Sequence, residues 1–183
     1  MKCMKRTSNL ILITLATIAS TYALVHYVKM DRFEFAFILN FMLMFFVLFF
    51  TKNLKPYLTS SFYDEKNWER KGTFYEYIGI NIFRKILVWT GWEKLIRIDN
   101  PIEKNTKTLT HLYNETKKGE LSHIIILVIV LGFNIFAICK FGFLKTVWLL
   151  ILNILLHLYP IFLQRYNRPR LKRVLNLSNW REK

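Results

Sequence analysis

Two cysteines, Cys3 and Cys139, are the only thiols in 183 residues. They allow no disulfide framework and show no metal-ligand spacing. Cys3 precedes the first apolar run, which also excludes the cysteine that follows a lipoprotein signal. Acidic residues are scarce: 12 Asp and Glu face 27 Lys and Arg, for a net charge of +15. No carboxylate lies deep within an apolar run, so a cation-binding or channel role lacks its ligands. There is no internal repeat, no low-complexity tract, and no serine or cysteine in a nucleophile–base constellation. The length is one domain's worth, which argues against separate cofactor and substrate lobes.

The chain is instead rich in apolar side chains, 53% of the total, gathered into runs with few charges. Crossing ~30 Å of hydrocarbon at ~1.5 Å per residue takes about 20 residues. Four runs fit: Asn9 to Val28, Phe35 to Thr51, Leu121 to Cys139 and Phe143 to Leu163. The predicted fold class is therefore all-α, a polytopic membrane protein whose four transmembrane helices form two hairpins, and the chain is read as a single membrane domain. The first run continues past Ala19 and Ala23 to Val28, longer than a signal-peptide core, so a retained helix is expected.

Charge placement predicts the orientation. With both termini inside a bacterial cell (inner) membrane, all but four of the 27 cations are cytoplasmic; the exceptions are Lys29, Arg32, Lys140 and Lys145. These charges flank membrane ends and form no single binding stripe, which points to anionic lipids as partners and excludes nucleic acid.

The polar middle, residues 52–120, is predicted to be cytoplasmic. Phe74, Ile78, Ile82, Ile86 and Trp89 recur at helical spacing, as in an amphipathic helix lying in the interface. Gly91 and Asp99-Asn100-Pro101 mark a loop, and Lys107 to Glu120 reads as a polar helix entering the third span. Asn40, Asn134 and Asn153 fall roughly 15 to 20 Å deep, where they are expected to hydrogen-bond between helices.

The cytoplasmic edge is where a site is expected. Thr116, Glu120 and His123 follow i, i+4, i+7 and share a helix face. Asn153, His157, Pro160 and Gln164 make a polar stripe on the fourth span, leading into Gln164-Arg165-Tyr166-Asn167-Arg168-Pro169-Arg170. Ionisable groups half-sunk in lipid face a cavity or a partner. Simpler roles remain open: the basic residues from Arg165 to Arg173 as headgroup anchors, His157 as an interhelical donor. Glu120-x-x-His123 is half of a di-iron motif, but no second pair exists, and neither metal nor cofactor is implied. His26 and Asp31 match an H-x-x-x-x-D acyltransferase spacing but fall on the outer side and are set aside.

Three strings carry a family resemblance. QRYNRPRL, Gln164 to Leu171, follows an Asn and a Pro in the last span; ETKKGELSH is Glu115 to His123; and Glu69, Gly72 and Tyr75 form an E-x-x-G-x-x-Y element. Together these resemble the glycosyl-4,4′-diaponeurosporenoate acyltransferases of carotenoid synthesis. Phe83-Arg84 stands where that family usually has Trp-Lys, and Val88 where it usually has proline.

The resemblance implies transfer of a fatty acyl chain to a sugar hydroxyl of a membrane glycolipid, from an acyl-CoA, acyl-carrier-protein or phospholipid donor. It implies His123 as general base and Glu120 as the group that orients and stabilises its imidazole. Arg165 and Arg168 would bind a donor phosphate or the oxyanion, and Gln164 and Asn167 the sugar hydroxyls. Thr116, Asn153, His157, Arg170, Glu69 and Arg84 complete the implied substrate-binding set. Pro169 is expected to stop the last helix. The competing class is a non-enzymatic protein that binds anionic lipids or assists assembly.

Overall fold

The computed structural model describes residues 2–54, 58–94 and 105–181. Among them regular structure is entirely helical, and four helices are long and apolar enough to cross a membrane. The loop expected at Asp99-Asn100-Pro101 lies outside the described residues. Two compact units form: Met1–Tyr57 with Leu121–Leu158, and Leu58–Glu120 with Tyr159–Lys183.

The first unit holds α1 (Lys2–Tyr27), α2 (Phe33–Leu54), the apolar part of α5 (Thr106–Phe141) and α6 (Phe143–Asn153). The hydroxyls of Thr14, Thr17 and Thr21 donate to carbonyls one turn back, so α1 presents no unsatisfied hydroxyl there. On α2, Phe35, Leu39, Leu43 and Val47 recur every fourth residue and form one buried stripe. Ile126 and Val130 of α5 and Leu149 of α6 pack in the same core. After α6, Pro160 has no N–H for the Leu156 carbonyl, and the turn before it widens into a π-helix, Ile154–Leu158. That turn interrupts the regular spacing assumed for the Asn153–Gln164 stripe.

The second unit begins with 3-10 turns, Ser61–Tyr63 and Asn67–Gly72, followed by α3 (Phe74–Tyr77) and α4 (Ile80–Trp89). The expected single amphipathic helix is thus two pieces, broken where Gly79 takes a φ of +85°. Its apolar residues also divide: Ile80 and Phe83 are buried, while Ile82, Ile86 and Trp89 are exposed. The polar half of α5 is continuous with the third span, as the sequence indicated, giving one 36-residue helix, about 54 Å long.

The last helix, α7 (Tyr159–Arg181), runs straight through Pro169, which corrects the expected stop. An interior proline costs about 3 kcal/mol in a free helix. Here side chains on either side of it are anchored: Arg165 and Arg168 before it, and Arg170, whose Nη2 donates to Glu76 Oε1 at 3.0 Å, after it. Tertiary bonds override the local preference.

Arg70 and Lys71 adopt left-handed φ values of 47° and 57°, followed by Gly72 at +89°. An added Cβ at Gly72 would lie 3.0 Å from Arg170 Nη1 and 3.1 Å from the Tyr166 carbonyl oxygen. Both its dihedral and its closeness to α7 require glycine. Gly72→Ala should destabilise the protein by ~2–4 kcal/mol, combining left-handed strain with overpacking. Thermal melting in detergent checks this; an unchanged melting temperature would mean that the 70–72 segment moves freely.

Candidate active site

Four charged residues meet in the second unit. Glu120 on α5 is completely buried. Its Oε1 accepts from Arg165 Nε at 2.6 Å and its Oε2 from Arg168 Nη2. Arg165 Nη1 donates to Glu69 Oε1 at 2.9 Å, and Nη2 to the Phe62 carbonyl at 3.0 Å. Arg168 Nε donates to Thr116 Oγ1 at 3.1 Å, Nη1 to the Tyr63 carbonyl at 2.8 Å, and Nη2 also to the Thr116 carbonyl at 3.3 Å. Two carboxylates thus balance two guanidinium groups, and each guanidinium is held along its whole edge.

Glu69 ties the 3-10 turn to this cluster. Its Oε2 accepts the Lys66 amide at 2.7 Å, capping the start of the turn, and its Oε1 accepts the Tyr75 hydroxyl at 2.5 Å. Burial works against the charged carboxylate, but the Lys66 amide, the Tyr75 hydroxyl and Arg165 outweigh it and hold its pKa below the ordinary value. The Tyr75 phenol is pushed up by burial and by its hydrogen bond to the Glu69 anion. The E-x-x-G-x-x-Y spacing therefore has a physical meaning: a carboxylate, the tight turn that reverses the chain, and the phenol that returns to the carboxylate.

Beside the cluster, the Tyr166 ring lies 3.5 Å from the Arg170 guanidinium and 5.6 Å from that of Arg84, and its hydroxyl donates to Glu76 at 3.1 Å. Gln164 lies over Gly119, its Nε2 3.1 Å from where a Cβ would stand. Asn167 is half-buried on α7. The recess between Tyr63, Tyr113, Arg165, Arg168 and Lys172 holds about one water molecule, too little for a sugar or a phosphate.

A second group, of two histidines and an asparagine, lies in the first unit. His123 Nδ1 is 3.2 Å from His157 Nδ1, and His157 Nε2 is 2.9 Å from Asn40 Oδ1. His157 and Asn40 are completely buried. Asn40 Nδ2 donates to the Ala36 carbonyl at 2.6 Å. Of the three asparagines expected to hydrogen-bond between helices, Asn40 and Asn153 do so. Asn40 bonds His157, Asn153 donates to the Leu127 carbonyl at 3.2 Å, and the buried Asn134 amide has no hydrogen-bond partner among the described residues.

Partner choice also differs from the pairing implied for Glu120 and His123. Glu120 is engaged by Arg165 and Arg168, while His123 is engaged by His157. Charge-assisted bonds from two guanidinium groups outcompete a neutral imidazole for one carboxylate. Likewise Arg165 and Arg168 spend their N–H groups on protein acceptors. The sequence reading named Asn40 for an interhelical hydrogen bond without its partner, and did not single out Gly72, Tyr75, Glu76 or Tyr166 for these roles. Glu69, Gly72 and Tyr75 stood in one quoted element, the only signal available for two of them.

The profile of the glycosyl-4,4′-diaponeurosporenoate acyltransferase family matches residues 59–177, well over half of the chain. The chain belongs to this family. No curated protein and no solved structure matches it. The matched segment contains the whole ion cluster together with His123 and His157, whereas Asn40 lies before it. Membership in this acyltransferase family agrees with the helical membrane fold and links the protein to carotenoid-type chemistry.

Glu120→Gln leaves the buried Arg168 without a carboxylate and should cost ~3–5 kcal/mol. Adding Arg168→Met should recover part of that loss, since the two residues share one interaction. Detergent melting and membrane abundance of the three variants measure it, and a double-variant loss equal to the sum of the two single losses would deny the coupling. Glu69 adds a pH dependence. Its pKa is lower folded than unfolded, so its stabilisation is complete above the ordinary 4.5 and is lost as pH falls through the lower folded value. The stability gap between wild type and Glu69→Gln should therefore be widest at neutral pH and close in acid.

Proposed function

We propose that the protein is a membrane acyltransferase that moves a fatty acyl chain onto a sugar hydroxyl of a glycosylated lipid or carotenoid at the cytoplasmic interface. The observation that carries this reading is that the family match spans a segment containing a half-buried imidazole, His123, braced by a second one. Donor and acceptor would both have apolar tails in the bilayer, so their reacting groups meet near its edge. His123 acts as general base on the hydroxyl, a role imidazole suits near neutral pH. His157 braces His123, and the Glu69–Glu120–Arg165–Arg168 cluster holds the framework rather than gripping a phosphate. Gln164, Asn167, Arg84 and Arg170 are left as candidates for contacting the sugar or its neighbouring headgroups. The excess of cations on the inner segments supports cytoplasmic termini and attraction to anionic lipids.

A protein that merely binds anionic lipids would use Arg165 and Arg168 as its headgroup ligands, and both are internally neutralised. The two readings separate by mass spectrometry of membrane lipids from cells carrying wild type, His123→Gln or no copy, at equal membrane abundance of the two proteins. One glycolipid species should gain a fatty-acyl mass only with wild type, and a general base is worth ~10²–10⁴ in rate. The same lipid profile in all three cells would overturn the acyltransferase reading.

A further inference from the structure

We infer that Asn40 and His157 are positioning residues that fix the tautomer of His123, leaving its Nε2 as the bare, proton-accepting nitrogen. The inference deepens the acyltransferase reading and rests on it.

The chain of hydrogen bonds has a direction, and a backbone carbonyl sets it. The Ala36 carbonyl can only accept, so the Asn40 group 2.6 Å away must be the amide NH2. A flipped amide would place two oxygens against each other. Asn40 Oδ1 consequently faces His157 Nε2 at 2.9 Å, and that nitrogen must carry a hydrogen. A neutral His157 then presents a lone pair at Nδ1. His123 Nδ1, 3.2 Å away, has to supply the hydrogen between the two rings. In neutral His123 the second ring nitrogen, Nε2, is left unprotonated. The alternative would protonate His157 twice, placing an unpaired cation on a completely buried side chain.

The π turn takes part in this arrangement. His157 is the fourth residue of Ile154–Leu158, the turn widened ahead of Pro160. The neighbouring Asn40 comes from α2, outside the segment that matches the family.

The relay balances through the reaction. As the sugar hydroxyl oxygen attacks the acyl carbonyl of an ester or thioester donor, its proton moves to His123 Nε2. The His123 imidazolium keeps its Nδ1–H directed at the His157 lone pair, which stabilises the charge. Asn40 Oδ1 cannot take a proton, so the charge stays on the histidine pair. Nε2 then returns the proton to the departing alcohol or thiol as the acyl–donor bond breaks.

NMR of the histidine-ring nitrogens in isotopically labelled protein in lipid bilayers tests the geometry directly. Only four histidines are present, and loss of signals in His123→Gln and His157→Gln assigns the two that matter. Wild type should show hydrogen on Nδ1 of His123 and on Nε2 of His157; hydrogen on Nε2 of neutral His123 overturns the inference without any mutant of Asn40. In Asn40→Leu the tautomers should mix, and acylated glycolipid per membrane-inserted protein should fall about 10- to 100-fold, part of what a general base supplies. Wild-type levels of product in Asn40→Leu would overturn the positioning role even with the tautomers as stated. Absence of acylated product from wild type would instead overturn the acyltransferase reading, and the catalytic use of the relay with it, so the two failures are distinguishable.

Discussion

A carboxylate with no access to water dictates how the second unit is built. Glu120 is completely buried, and an isolated anion there would be prohibitively costly. Two guanidinium groups from α7 compensate it, and their remaining donors must also be satisfied. Phe62, Tyr63, Thr116 and Glu69 supply those acceptors, so segments far apart in sequence converge on one charge. Glu69 in turn needs its own donors, which Lys66 and Tyr75 provide. The left-handed turn at 70–72, the uninterrupted helix through Pro169 and the close approach of Gly72 to α7 all serve this closed set of bonds. Buried charge here works as an organiser of the fold, consistent with the modest net stability expected of paired buried ions.

The first unit follows a different rule. Its central hydrogen-bonded chain is an asparagine and two histidines in place of ion pairs, on helices whose core holds Phe35, Leu39, Leu43, Ile126 and Val130. Neutral groups suit a segment long and apolar enough to cross a membrane, because their desolvation is far cheaper than that of ions. Imidazole combines such neutrality with the capacity to accept a proton, which makes it the natural acid–base group for a reaction between lipid-anchored partners.

Much of this was legible in the amino-acid sequence. The apolar runs identified four membrane-length helices, and the polar helix from Lys107 does continue into the third span. The 3.6-residue period correctly grouped Thr116 with Glu120, since both bond Arg168. Partner choice was harder to read. Periodicity reports which residues share a face, but not that arginines from a distant helix would claim Glu120 ahead of His123. Proline rules are local, so they placed a stop at Pro169, where side-chain anchors carry the helix onward to Arg181. Asn40 looked like one of three equivalent asparagines. Only the position of the Ala36 carbonyl and the ring of His157 distinguishes it.

The π turn carries a consequence for chain length as well as for residue identity. An α-helix advances by about 100° per residue, and a π turn absorbs one residue beyond the regular repeat. Removing a single residue between Ile154 and Leu158 would let the chain close into a regular α-helix with the flanking turns still nearly in phase, whereas a deletion elsewhere in the helix has no wide turn to absorb it and rotates one side against the other by that angle. His157 and the arginines of α7 lie on opposite sides of this point or within it. Relatives that share both elements are expected to differ in length within this helix, where they differ at all, by the one residue that the wide turn holds.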